Sequence, residues 1–232
     1  MSANDLKKHT VKVGSGSGCV FQPMDDESTY ILTAKHLFQL KNEETNEQEY
    51  IEDGTHVSIT FLEFDGNSWN STVDTFTMGF EENFFPHPEA DAAILKIPYR
   101  QGYDNIHLRK NRVQSDFHLC GFPGNLRNQP TVSAQYDSEE IRDFLQSDDY
   151  FEIAQLENPI LNYSEIEGYS GGGIMTFDDS SNVFVIGIQS RMAKEKLNLD
   201  FGKIGFVSIR YFEEIIETYK TEGKLLELLP LF

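Results

Sequence analysis

The chain has 232 residues, 39% of them hydrophobic and 12% aromatic, which suits one large domain with a sizeable core rather than a disordered segment. Two cysteines are too few for a disulfide framework. The 38 acidic against 19 basic residues give a formal net charge of -19, which repels phosphate backbones and anionic lipid, so neither nucleic acid nor a membrane surface is an expected partner.

From the N-terminus, Met1-Ser-Ala-Asn-Asp-Leu-Lys-Lys8 lacks the apolar stretch of a secretory leader. No window approaches the ~18 apolar residues of a membrane span. A cytoplasmic location is therefore expected, with Cys19 and Cys120 as small buried thiols rather than a disulfide or a metal pair. Gly14-Ser-Gly-Ser-Gly18 has neither the lysine nor the spacing of a phosphate-binding loop and reads as a tight entry to the first core strand.

Short β-rich runs then recur between Gly-, Asn-, Asp- and Pro-rich turns. The candidate strands are 17–21, 30–34, 56–62, 72–77, 92–97, 117–120, 131–136, 150–154, 173–177, 184–189 and 205–209. So many short strands indicate a sandwich or barrel rather than a βαβ sheet. Asp137-Ser-Glu-Glu140 has capping-box spacing ahead of Ile141, Phe144 and Leu145 and predicts a helix. Phe212, Ile215, Ile216 and Tyr219 form one apolar helical stripe, predicting a closing helix over 209–222, with 223–232 as an apolar tail or linker. Trp69 and the many phenylalanines read as core.

The segment richest in chemistry is Glu167-Gly-Tyr-Ser-Gly-Gly-Gly-Ile174. A serine followed by three glycines leaves backbone N–H groups unobstructed, as stabilisation of an oxyanion requires, although alone the run could be a glycine-rich turn. A serine hydroxyl is a weak nucleophile and needs a base, itself oriented by an acid. His36, ending the strand-like Tyr30-Ile-Leu-Thr-Ala-Lys-His36, is the best-placed of the histidines. Asp91 opens the apolar run Asp91-Ala-Ala-Ile-Leu-Lys-Ile97, as a turn residue or as a carboxylate set beside a histidine. His87, Glu89 and Asp91 alternate like metal ligands, but Pro88 interrupts the strand they would need.

Taken together, Thr33-Ala-Lys-His36, Asp91-Ala-Ala-Ile-Leu95 and Gly168-Tyr-Ser-Gly-Gly-Gly173 resemble the three active-site motifs of trypsin-like (chymotrypsin-fold) serine peptidases, in the same order. Gly121-Phe-Pro-Gly124 and Gly187-Ile-Gln-Ser190 resemble further family segments, and the likeness spans roughly residues 13–220. It implies an all-β fold of two packed antiparallel six-stranded barrels, about 13–105 and 115–208, with a C-terminal helix. It also implies a Ser170 nucleophile, a His36 base, an Asp91 orienting acid, and an oxyanion hole from the N–H groups of Gly168 and Ser170. No metal or cofactor is required.

The chain also departs from the family. Leu37 stands where many secreted relatives have a cysteine, and Tyr169 stands where the pancreatic enzymes have an aspartate that pairs with a newly cut N-terminus. Control is therefore expected from a partner or an attached domain. Ser164, Ser190, Arg191 and Gly205 match the substrate pocket; Ser164 is neutral, which implies an apolar or small side chain before the cut, whereas Glu165 and Glu167 nearby would instead favour a basic one. The resemblance extends to the leaderless peptidase domains of multidomain prokaryotic defence proteins, implying a regulated endopeptidase acting on protein or peptide in antiviral defence. The alternative is a latent or inactive trypsin-fold scaffold that binds protein.

Overall fold

The apolar runs build two sheets packed against each other, antiparallel throughout except where β10 (Ile106–Leu108) pairs in parallel with β15 (Val183–Lys194). The computed structural model describes residues 3–22, 28–43, 45–103, 106–110, 112, 116–124, 136–148, 150–158, 166–180, 182–194 and 199–221. The first sheet comprises β1 (Thr10–Val13), β2 (Gly16–Phe21), β3 (Ser28–Thr33), β6 (His56–Phe64), β7 (Trp69–Thr77), β8 (Phe84–Pro86) and β9 (Ala93–Pro98), in the order β7-β6-β1-β2-β3-β9-β8. A small hairpin of β4 (Gln39–Lys41) and β5 (Gln48–Tyr50) lies beside it.

The second sheet comprises β10 (Ile106–Leu108), β11 (Phe117–Gly121), β12 (Asp137–Asp148), β13 (Phe151–Leu156), β14 (Gly173–Phe177), β15 (Val183–Lys194) and β16 (Leu199–Ser208). Its order is β10-β15-β14-β11-β12-β13-β16, and an added β15–β16 ladder closes the six strands β11 to β16 into a barrel. Register shifts in β12 and β15 are the bulges that let these long strands bend around a small barrel. The expected double barrel is thus present, with one difference in the first half. Among the described residues no ladder joins β7 to β8 or β9. Arg100 spans that seam, donating to Glu63 at 2.8 Å and pairing with Asp74, with its guanidinium 3.8 Å from the Phe61 ring centre. A cavity of about 1360 Å³ opens there, and none of the candidate catalytic residues lines it.

Two sequence expectations fail locally. Asp137-Ser-Glu-Glu140 begins strand β12, not a helix. Its backbone pairs on both sides, Phe117 with Ile141 and Leu145 with Ile153, and these ladders outweigh a capping signal that a solvated chain could have used. Trp69 is only half-buried at the end of β7, stacked 5.4 Å from Phe64, which is itself exposed. The predicted strand 131–136 lies outside the described residues except for Tyr136. Strands β1, β4, β5, β8 and β10 were too short for their composition to register.

Three apolar clusters follow from this arrangement. One fills the first sheet (Val11, Ile31, Phe61, Phe84, Leu95), and another fills the closed barrel (Phe117, Leu119, Ile174, Phe206). The third lies between the halves and receives α1 (Ile209–Thr221), whose Phe212, Ile215, Ile216 and Tyr219 are buried as the stripe predicts. Burying each such large side chain contributes about 1.5–3 kcal/mol, so α1 fastens one half to the other. Cys19 and Cys120 are free and buried in this same cluster, and burial pushes the Cys120 thiol up to about 12.

Candidate active site

The cleft between the halves is assembled from three loops. The first follows β3, where the chain turns through a 3-10 helix (Lys35–Phe38) carrying His36. The second is the 87–92 loop between β8 and β9, closed by the His87 N–H donating to the Ala92 carbonyl at 2.9 Å. This loop delivers Asp91 beneath His36. The His36 backbone N–H donates to Asp91 Oδ1 at 2.8 Å, and its ring Nδ1 lies 2.7 Å from Oδ2. Two bonds from one residue to both carboxylate oxygens fix the imidazole plane. The Ser190 hydroxyl, from β15, also donates to Asp91 Oδ2. Burial pushes the Asp91 carboxyl up, but the bonds from His36 and Ser190 and the His36 charge outweigh it, so its pKa lies below the usual value of 3.8.

The third loop is the turn from Ile166 to Gly172. Its N–H groups divide into two sets. Those of Tyr169, Gly171 and Gly172 donate to the carbonyls of Ile166, Gln189 and Tyr169 at 3.1, 2.8 and 2.7 Å. Those of Gly168 and Ser170 make no hydrogen bond among the described residues. The turn demands glycine at two points. Gly168 has φ +98°, and a Cβ there would lie 2.2 Å from the Phe122 carbonyl oxygen; Gly171 has φ +89°, and its Cβ would lie 1.9 Å from that of Ser17.

The first half holds this turn through Ser17. Its N–H donates to the Ser170 carbonyl at 2.7 Å, and its hydroxyl donates to the Gly168 carbonyl at 2.6 Å while accepting from the Phe122 N–H at 2.9 Å. The Glu167 carbonyl accepts from Gly124 N–H, so the Gly121-Phe-Pro-Gly124 turn grips the same loop from the second half. The Gly14-Ser15 hairpin corner and small residues at 16–18 let β2 come this close: a Cβ at Gly16 would lie 2.6 Å from the Ser170 carbonyl oxygen. Ser17 was not anticipated from sequence; its signal was the alternation of small residues itself.

The fold, two packed β-sheets closed by a helix, is found among solved structures. Tobacco etch virus protease complexed with product superposes with a TM-score of 0.53 at 15% identity, covering 94% of this chain and 81% of that one. Kallikrein-related peptidase 10 superposes with a TM-score of 0.56 at 13% identity, covering 95% and 100%, and its complex with Zn2+ gives 0.54 at 14% identity. No family model and no curated protein matches the chain. The chain has the trypsin-like double-barrel fold.

Within that fold, hydrogen bonds join His36 and Ser190 to Asp91, and Ser170 reaches the same group through Ser190; among the described residues none joins His36 to Ser170 directly. The Ser170 hydroxyl donates to the Ser190 carbonyl at 3.4 Å. Ser190, expected in the substrate pocket, is buried with its hydroxyl committed to Asp91. Arg191 is exposed, its guanidinium 3.6 Å from the Phe151 ring centre, and it pairs across β16 with buried Gly205. Ser164 lies outside the described residues.

Two further residues organise the Asp91 loop. Lys35 is buried, with Nζ donating to the carbonyls of His87, Pro88 and Glu89 at 2.8, 3.3 and 3.4 Å. Burial lowers its pKa, with Asp91 and Glu89 acting in the opposite direction. His87 Nδ1 accepts the N–H groups of Glu89 and Ala90 at 3.1 and 2.8 Å, which leaves Nε2 to carry the proton and donate to Glu214 of α1 at 3.0 Å. The alternating His87, Glu89 and Asp91 are thus a hydrogen-bonded loop.

Proposed function

We propose that the chain is a serine endopeptidase acting through His36, Asp91 and Ser170. Ser170 Oγ attacks the scissile carbonyl while His36 accepts its proton; His36 then protonates the leaving amine, and water deacylates the enzyme by the reverse path. Asp91 keeps the proton on His36 Nδ1 and stabilises the imidazolium. The N–H groups of Gly168 and Ser170 receive the oxyanion, each worth roughly 10²–10³ in rate. The observation that carries this reading is the Asp91 carboxylate, bonded at once to the His36 backbone, the His36 ring and Ser190, beside a turn in which the N–H groups of Gly168 and Ser170 make no hydrogen bond among the described residues.

The same reading includes control by a partner or attached domain, since buried Tyr169 stands where an N-terminus-binding acid would be needed. The sequence resemblance adds a cytoplasmic effector role in prokaryotic antiviral defence. The Ser170 hydroxyl resting on the Ser190 carbonyl favours a second reading, a latent domain that binds protein. A fluorophosphonate probe separates them. Covalent labelling of wild-type protein, abolished in Ser170→Ala, supports the peptidase; no labelling with or without the natural partner refutes it. Ser170→Ala is expected to change the unfolding temperature by no more than about 2 °C, because the lost hydroxyl makes one long hydrogen bond.

A further inference from the structure

Gln189 is 1% exposed, and its side-chain oxygen is wholly buried without a hydrogen-bond partner among the described residues. A buried carboxamide oxygen left unpaired is destabilising and invites a functional explanation. Its backbone is fixed to the nucleophile turn from both sides: the Gln189 N–H donates to the Gly172 carbonyl and the Gly171 N–H donates to the Gln189 carbonyl, each at 2.8 Å.

The side chain's location follows from register. Gln189 pairs with Phe206, and the ladder then steps to Arg191 and Gly205, leaving Ser190 as the extra residue of a bulge. Ser190 uses that freedom to turn its hydroxyl to Asp91, while Gln189 stays on the face of β15 shared with Phe206. Phe206 packs in one cluster with Ile166 and Tyr169, which flank Gly168. The carboxamide thus lies on the barrel side of β15, beside the turn that carries Ser170 and its two uncommitted N–H groups.

The geometry points to Gln189 as the residue that selects the side chain on the acyl side of the cut, and to glutamine as that side chain. The inference rests on the peptidase reading above. A carboxamide can satisfy both the acceptor and the donor of another carboxamide in a dry site, without charge. A lysine or arginine would lose its hydration there without gaining a counter-ion from Gln189. A carboxylate would face a chain of net charge -19. An apolar side chain, which Ser164 alone would have suggested, would leave the amide unpaired in the complex as well.

The test uses the whole chain and three fluorogenic tetrapeptide pools, mixed at the three preceding positions and ending in glutamine, methionine or lysine before the coumarin leaving group. Wild-type protein is expected to favour the glutamine pool by about 10-fold or more in kcat/KM. Gln189→Met, a nearly isosteric exchange that keeps the site filled, is expected to bring the ratio to about 1 or below. Gln189→Glu, of the same shape, is expected to raise cleavage of a lysine pool relative to the glutamine pool, and no such rise counts against the assignment. Ser170→Ala should bind uncleavable amide versions of the glutamine and methionine pools with the same glutamine preference.

Fluorophosphonate labelling of Ser170 reports on the nucleophile separately. Labelling with a glutamine-to-methionine ratio near 1, or a ratio unmoved in Gln189→Met, overturns the role of Gln189 alone. Glutamine-selective binding by Ser170→Ala without labelling of wild-type protein overturns the peptidase reading and leaves the side-chain pocket standing.

Discussion

Replacing Lys35 by methionine keeps an unbranched apolar stem but removes the ammonium beneath the Asp91 loop. The bond to the His87 carbonyl, at 2.8 Å, counts in full, whereas those at 3.3 and 3.4 Å are marginal. A hydrogen bond to a charged group is worth about 1.5–3 kcal/mol, and the methionine recovers part of this because it has no charge to desolvate. The net loss is about 2 kcal/mol, which for a domain of this size lowers the unfolding temperature by roughly 4–8 °C. Lys35 bonds to the loop rather than to the cleft, so it acts as a positioning residue through Asp91. Loosening that loop should slow fluorophosphonate labelling of Ser170 about 10-fold, equivalent to roughly 1.4 kcal/mol of barrier. Circular dichroism melts and labelling time courses measure the two effects. Lys35→Arg, which keeps the charge, should recover part of both losses. Wild-type melting and labelling in Lys35→Met would refute the idea that this buried cation organises the Asp91 loop.

Ser17→Ala removes a buried hydroxyl that serves the Gly168 carbonyl and the Phe122 N–H, so a loss of about 2–4 kcal/mol is expected. A melting temperature within 1 °C of wild type would mean the two halves do not depend on this clamp. Asp91 has a lowered pKa in the folded protein, so its contribution to stability is fully present above the unfolded value near 3.8 and is lost as pH falls through the folded value. Melting curves between pH 6 and about pH 2 should therefore show the wild-type advantage over Asp91→Asn shrinking below the unfolded value. A constant difference across that range would contradict the ion-paired carboxylate.

Sequence pattern carried much of this architecture because the signals were local or doubly supported. The stripe from Phe212 to Tyr219 specified α1 by its period alone, and the short continuous apolar runs of β3 and β9 specified largely buried strands. The segment from Asp137 misled because its local preference and its pairing environment disagreed. A strand held between β11 and β13 gains two ladders that no window of its own sequence reveals. The short strands β4, β8 and β10 were invisible for a related reason: three residues carry no period.

What the sequence by itself determined were the chemical types and their order: a histidine after one strand, an aspartate before another, and a serine in a glycine-rich turn. Those identities follow from reactivity and backbone freedom, which belong to single residues. Tertiary structure alone decided the partners. It turned Ser190 from a pocket residue into a bond on Asp91, made Ser17 a clamp between halves, and left the Gln189 side-chain oxygen without a hydrogen-bond partner among the described residues. Hydrogen bonds act over about 3 Å, and only folding brings Ser17 within that reach of Gly168, 151 positions away.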